Sequence, residues 1–214
     1  MNTSFGTYLV TQSNHTNGRS TVDVVRAALA GGVDVVQLRE KHVTARERLA
    51  VGRELRRLTA EAEVPLVVND RIDLASAVTA DGVHLGDDDL PVDVAREQLG
   101  PEALIGRSVS TVEGATRAED AGADYLGVGA VYETGSKETK PEQTEIGLDR
   151  VRAVCEAVSI PVVGIGGVTH ERAGDIVEAG ADGVAVVSEI TGADDPEAAT
   201  RRLAEAVAAG RNRR

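Results

Sequence analysis

With one cysteine in 214 residues, the chain can build neither a disulfide framework nor a thiolate zinc cluster. Cys155 lies alone in a helical pattern, and the expected setting is a reducing cytoplasm. No apolar run approaches the roughly 18 residues that a membrane span needs. The opening "MNTSFGTYLVTQ" lacks the basic stretch of an export signal, so a soluble, unexported protein with no membrane partner is expected. No Pro/Gly/Ser-rich linker or low-complexity tract divides the chain. At 42% hydrophobic it reads as one domain over 1–214, with residues 1–5 and 210–214 expected to fray. Positive charge is also short: the net charge of −12 repels phosphate backbones and argues against a nucleic-acid partner. Lysine is the scarcest charge, with Lys41, Lys137 and Lys140 as the only lysines among 23 basic side chains. That arginine bias, the acidic balance and 2% aromatics together resemble a salt-adapted proteome. Homo-oligomerisation is left open.

What is present is a repeated phrase. "AGGVDVVQL" at 30–38, "TADGVHL" at 79–85, "AGADYLGVG" at 121–129 and "AGADGVAVV" at 179–187 each set small residues and Asp before a short apolar run. A helix stop followed by a buried strand is the expected reading. Further strands are expected in 6–11, 64–70, 103–108 and 160–167. Helices are expected at 21–30, 45–62, 71–78, 92–99, 112–121, 148–158, 170–179 and 196–209. Eight strands, each followed by a helix, predict an α/β fold, a TIM (β/α)8 barrel, over a doubly wound sheet.

Function in such a barrel sits at the C-terminal ends of the strands. Strand 2 delivers Gln37, Arg39 and Lys41 there, strand 3 Asn69 and Asp70, strand 4 His84 and the triple Asp87-Asp88-Asp89. Strand 5 delivers Ser108 and Ser110, and strand 6 leads into "YETGSKETK". "GIGGV" after strand 7 and "VVSEI" after strand 8 suit a phosphate cradle of backbone N–H groups. Asp70 and Asp89, from neighbouring strands, are the candidate ligands of one Mg²⁺. Where arginine is otherwise preferred, Lys41 and Lys137 read as compact charges kept for phosphate. The serines have no evident paired base, so no covalent nucleophile is expected. His84 is either a packed strand-end residue or a proton carrier. The loop 130–147 is long for a barrel connection and is expected to close over substrates.

Taken in order, "QLREK", "VVND", "ADGVHLGDDD", "GRSVST", "GVGAVYETGSK", "VVGIGG" and "GVAVVS" resemble the thiamine phosphate synthase family over about residues 6–205. The resemblance implies a TIM-barrel transferase that joins a hydroxymethylpyrimidine diphosphate to a thiazole phosphate, giving thiamine phosphate and pyrophosphate. It implies Gln37, Leu38, Arg39, Glu40, Lys41, Asn69, Ser108 and Lys137 around the pyrimidine diphosphate, with Arg39, Lys41 and Lys137 carrying the catalysis. It places Thr134, Gly135, Ser136, Gly166, Gly167, Val187 and Ser188 around the thiazole phosphate. Asp70 and Asp89 would hold the Mg²⁺, the spacing from Asn69 favouring Asp89 over Asp88. The chain departs from many relatives in having Ser110 in place of a histidine and Ser136 in place of a threonine. Related readings are a thiazole tautomerase, which would not need the diphosphate machinery, and a non-catalytic barrel that senses a phosphate ligand.

Overall fold

The computed structural model describes residues 3–135 and 145–214. In it the parallel strands β1 (Thr7–Val10), β2 (Val35–Leu38), β3 (Leu66–Asn69), β4 (Gly82–Leu85), β5 (Leu104–Val109), β6 (Tyr125–Val128), β7 (Val162–Ile165) and β8 (Gly183–Val186) close into a barrel in sequence order. The helices are α1 (Thr21–Ala30), α2 (Ala45–Glu61), α3 (Ile72–Val78), α4 (Val92–Leu99), α5 (Val112–Asp120), α6 (Gly147–Ala157), α7 (His170–Glu178), α8 (Ser188–Thr191) and α9 (Pro196–Arg213). The architecture is the (β/α)8 barrel expected from the sequence. No helix among the described residues is long and apolar enough to cross a membrane.

The recurring phrase acts at the bottom of the barrel, opposite the strand C-termini. Each of the four helices before an even strand ends near a left-handed residue: Gly32, Thr79, Gly122 or Gly180. The next residue, Val33, Ala80, Ala123 or Ala181, turns back with its N–H on a helix carbonyl. Then comes the aspartate. Asp34, Asp81, Asp124 and Asp182 accept, at 2.6–2.8 Å, the backbone N–H of Thr7, Leu66, Ile105 and Val162 at the foot of the preceding strand. Each aspartate returns its own N–H to the carbonyl of that same residue at 2.8 Å. Four reciprocal staples thus join the strands in pairs. Arg56 and Arg96 pair with the carboxylates of Asp81 and Asp124, and Arg211 donates to the Asp182 carbonyl.

Strand alternation divides the core in two. Outward residues such as Leu9, Val36, Leu38, Val68, Ile105, Leu126 and Val184 pack under the helices. Inward residues Tyr8, Val10, Val35, Val67, Tyr125, Val163 and Ala185 fill the barrel, with Phe5 closing its floor against the Tyr125 ring at 4.7 Å. Phe5 is buried, and α9 continues to Arg213, whose guanidinium pairs with Glu178 at 2.6 Å. The short helix α8 begins at Ser188 within "VVSEITG" and turns the chain from β8 towards α9 across a single turn.

Candidate active site

The mouth of the barrel encloses about 590 Å³, and the strand ends set its walls. Because β2 alternates, Gln37 points inward while Val36 and Leu38 point out to the helices. Arg39 and Lys41 then emerge on the rim. The Arg39 guanidinium is held by Gln12 Oε1 at 2.7 Å, and its backbone N–H by Thr11 Oγ1. Burial pulls that guanidinium below its ordinary pKa, while Asp70 and Glu40 oppose the shift. Lys41 Nζ lies 2.6 Å from Asp70 Oδ2.

Asp70 stands directly past β3 in a left-handed conformation, φ 64°, with its N–H bonded to the His84 carbonyl on β4. Asp89 folds back from the β4 loop so that Oδ2 accepts the Gly86 N–H at 2.6 Å. Arg107, on β5, holds the Gly86 carbonyl from the other side. Asp89 and Asp70 meet: burial, then the neighbouring Asp70 carboxyl, push the Asp89 carboxyl above its usual range, against the Gly86 N–H and Lys41. Two carboxylates crowded at a cavity wall make a place where a hard cation relieves the charge. Among the described residues no group of three or more His, Cys, Asp or Glu gathers to hold a metal. Two carboxylates are sufficient for magnesium when water and phosphate oxygens complete its shell.

Across the mouth, β7 and β8 end in backbone. Gly166 and Gly167 both have positive φ, 99° and 62°, which only glycine adopts freely. A Cβ on Gly167 would collide with the Glu133 carbonyl and lie 2.8 Å from Tyr132 Cβ. The turn therefore lets the segment after β6 pass close by, bringing Thr134 and Gly135 to the cavity. Arg172, in the first turn of α7, stacks over the Tyr132 ring at 4.7 Å and donates to the Gly167 carbonyl. Glu189 caps α7, accepting from the His170 N–H and touching its Nδ1 at 2.7 Å.

The floor of the mouth is a line of polar side chains. Gln37 Nε2 reaches Tyr8 Oη at 2.8 Å, Tyr8 Oη reaches Tyr125 Oη at 2.8 Å, and Tyr125 Oη reaches His84 Nδ1 at 3.0 Å. His84 Nε2 ends the line on Ser108 Oγ at 3.0 Å. Gly106 makes this possible, since a Cβ there would strike both the Tyr125 ring and His84 Nδ1.

Gln37, Arg39, Lys41, Asn69, Asp70, Asp89, Ser108, Thr134, Gly135, Gly166, Gly167, Val187 and Ser188 all line one cavity. Two expected contacts face elsewhere. Leu38 is fully buried in the outer core, and Glu40 turns away to accept from the Ser13 N–H and Thr21 Oγ1, fixing the loop after β1. Ser136 and Lys137 lie outside the described residues, as does half of the expected closing loop, 136–144. Tyr8, Tyr125, Gln12 and Arg107 were not picked out from the sequence. The two tyrosines carried a signal, because a polar ring at an inward position of a strand needs a partner when buried.

Residues 7–190 match the family model described as thiamine monophosphate synthase. A thiamine-phosphate synthase of Natronomonas pharaonis is 69% identical over 207 residues, covering 97% of this chain and 97% of that protein. One from Moorella thermoacetica is 49% identical over 206 residues, with 96% and 97% covered. The solved thiamine phosphate pyrophosphorylase from Pyrococcus furiosus superposes with a TM-score of 0.89 at 40% identity, covering 98% of each chain. With strands, cavity and nearly the full length matched at such identities, the chain belongs to the thiamine monophosphate synthase family and is an enzyme.

Proposed function

We propose that this enzyme joins 4-amino-2-methyl-5-hydroxymethylpyrimidine diphosphate to 4-methyl-5-(2-phosphooxyethyl)thiazole, forming thiamine phosphate and releasing pyrophosphate. The observation that carries this reading is one mouth with two unlike walls, each of a kind that suits a phosphate group. Lys41, Asp70 and Asp89 stand at β2–β4, and the glycine turn and Val187-Ser188 stand at β7–β8. In a closed eight-stranded barrel β3 and β7 are diametrically opposed. Two phosphorylated substrates held there would bring their reacting atoms together between the walls.

Asp70 and Asp89 would hold one Mg²⁺, which when bound neutralises charge on the diphosphate. The remaining work falls to the chain. Arg39 and Lys41 face the diphosphate, with Lys137 expected to join them. The methylene C–O bond breaks first, and its electron pair leaves with pyrophosphate, whose growing charge these cations stabilise. The thiazole nitrogen then donates its lone pair to form the C–N bond. Its line of approach is set by the grip of the glycine turn and Ser188 on the thiazole phosphate. The Gln37–Tyr8–Tyr125 floor excludes water beneath the reacting carbon, where hydrolysis would compete. No covalent enzyme intermediate is required.

The test is pyrophosphate release on mixing both substrates, the protein and Mg²⁺, with thiamine phosphate identified by mass. Release dependent on both substrates is expected. Isomerisation of a thiazole without release points to a tautomerase, and binding without turnover to a sensor.

A further inference from the structure

The hydrogen-bonded line from Gln37 to Ser108 has a direction that proton counting reveals. The Gln37 Nε2 amide only donates, so Tyr8 Oη accepts there. Burial pushes both the Tyr8 and Tyr125 phenols above their ordinary range, and each keeps its single proton. Having accepted from Gln37, Tyr8 has its own proton to give to Tyr125. Were it to accept from Tyr125 as well, that proton would find no acceptor among the described residues. Tyr125, in turn, donates to His84 Nδ1, which must then be bare. The imidazole proton sits on Nε2 and is donated to Ser108 Oγ. Ser108 has now accepted, so its own hydroxyl proton is left for the cavity that it lines.

We propose that Gln37, Tyr8, Tyr125 and His84 form a one-way relay of hydrogen bonds that fixes His84 as its Nε2–H tautomer and holds the Ser108 hydroxyl as a donor towards an anion in the mouth. The identity of that anion, the departing pyrophosphate, rests on the function proposed above; the direction of the relay does not. The four residues are positioning residues that act through Ser108. The opposite direction is chemically distinct. With the Gln37 amide turned over, every bond reverses, and Ser108 spends its proton on His84. Only lone pairs would then face the anion, which they repel. A donor hydroxyl at this place therefore depends on an amide three side chains upstream of the imidazole.

The ligand-free protein, labelled with ¹⁵N in its histidine rings, tests the direction by NMR at neutral pH. The chain has four histidines. Spectra of His15→Gln, His42→Gln and His170→Gln identify the His84 signals by elimination. Unprotonated Nδ1 with a proton on Nε2 is expected, and a proton on Nδ1 overturns the proposal. The functional arm is a double-mutant cycle. Tyr125→Phe fills the same volume without the relay proton, and Ser108→Ala removes the final donor. Each is expected to lower turnover about tenfold or more while leaving the KM values nearly unchanged, and the double variant to lose no more than either alone. Losses that multiply would show that the tyrosine does not act through the serine. If the wild type releases no pyrophosphate, the proposed reaction fails, while the nitrogen spectrum still decides the relay.

Discussion

Asp70 shows how a single backbone conformation serves chemistry. At φ 64° the residue occupies a region that most side chains avoid, and Asp and Asn are among those that tolerate it. That turn aims the carboxylate at Lys41 on one side and Asp89 on the other. Asp70→Asn preserves the shape and the tolerated backbone, and removes the charge. We expect turnover to fall by roughly a hundredfold or more, since even indirect partners of metal ligands cost 10–100-fold, with the melting temperature nearly unchanged. Steady-state kinetics over a range of Mg²⁺, beside thermal unfolding, measure both. Wild-type turnover at limiting Mg²⁺ would sink the assignment of Asp70 to the metal. At this scale the sequence was most legible where charge is rare: three lysines made Lys41 conspicuous. It was least legible where a contiguous motif is folded by strand alternation. "QLREK" looks like one contact surface, yet Leu38 and Glu40 are turned away from the mouth that Gln37, Arg39 and Lys41 line.

Among the elements, the turns at the two ends of the strands do different work. At the bottom, each staple offers a backbone N–H one carboxylate oxygen, and Asp124 receives both the Ile105 N–H and Arg96 on the same Oδ2. Asp124→Ala would leave that N–H without its partner and Arg96 with only carbonyls, a loss of about 1–3 kcal/mol. The melting temperature should drop by about 2–4 °C for each of these. Turnover per folded molecule should stay at the wild-type value, because the staple lies at the far end of the barrel. A loss of turnover with unchanged stability would contradict this division of labour. At the top, the glycine turn after β7 answers to the segment after β6 as much as to any ligand. Gly167→Val would drive a branched side chain against Glu133 and Tyr132 at a φ of 62°. The thiazole side should therefore suffer, with its KM raised at least about tenfold, or roughly 1.4 kcal/mol, and pyrimidine diphosphate binding little changed. Calorimetric titration of each substrate separately decides it. If the pyrimidine diphosphate is lost and the thiazole phosphate kept, the two walls of the mouth have been assigned in reverse.

The whole molecule is legible in proportion to how local its signals are. Helix stops, aspartates and apolar runs repeat within a few residues of one another, so the eight-fold order could be read directly. The floor of the mouth could not, because Tyr8 and Tyr125 meet across 117 positions and only closure of the barrel brings them together. Net charge is another property of the whole. With 35 acidic and 23 basic side chains, the folded protein repels itself, and salt changes that repulsion. Raising ionic strength from about 0.1 to 1 M shortens the screening length from about 10 to 3 Å. The same salt weakens exposed ion pairs such as Arg26–Asp23, Arg57–Glu61 and Arg201–Glu197. Each of those is worth only about 0–1 kcal/mol and acts between neighbours on one helix, which keep much of their attraction at contact distance. The unpaired excess of −12 acts over the longer distances that screening removes first. Repulsion should therefore lose more than attraction, and the melting temperature should rise with KCl over this range. Scanning thermal unfolding in a KCl series measures it, and a melting temperature that falls as salt is added would mean that the ion pairs, and not the net charge, dominate the surface electrostatics.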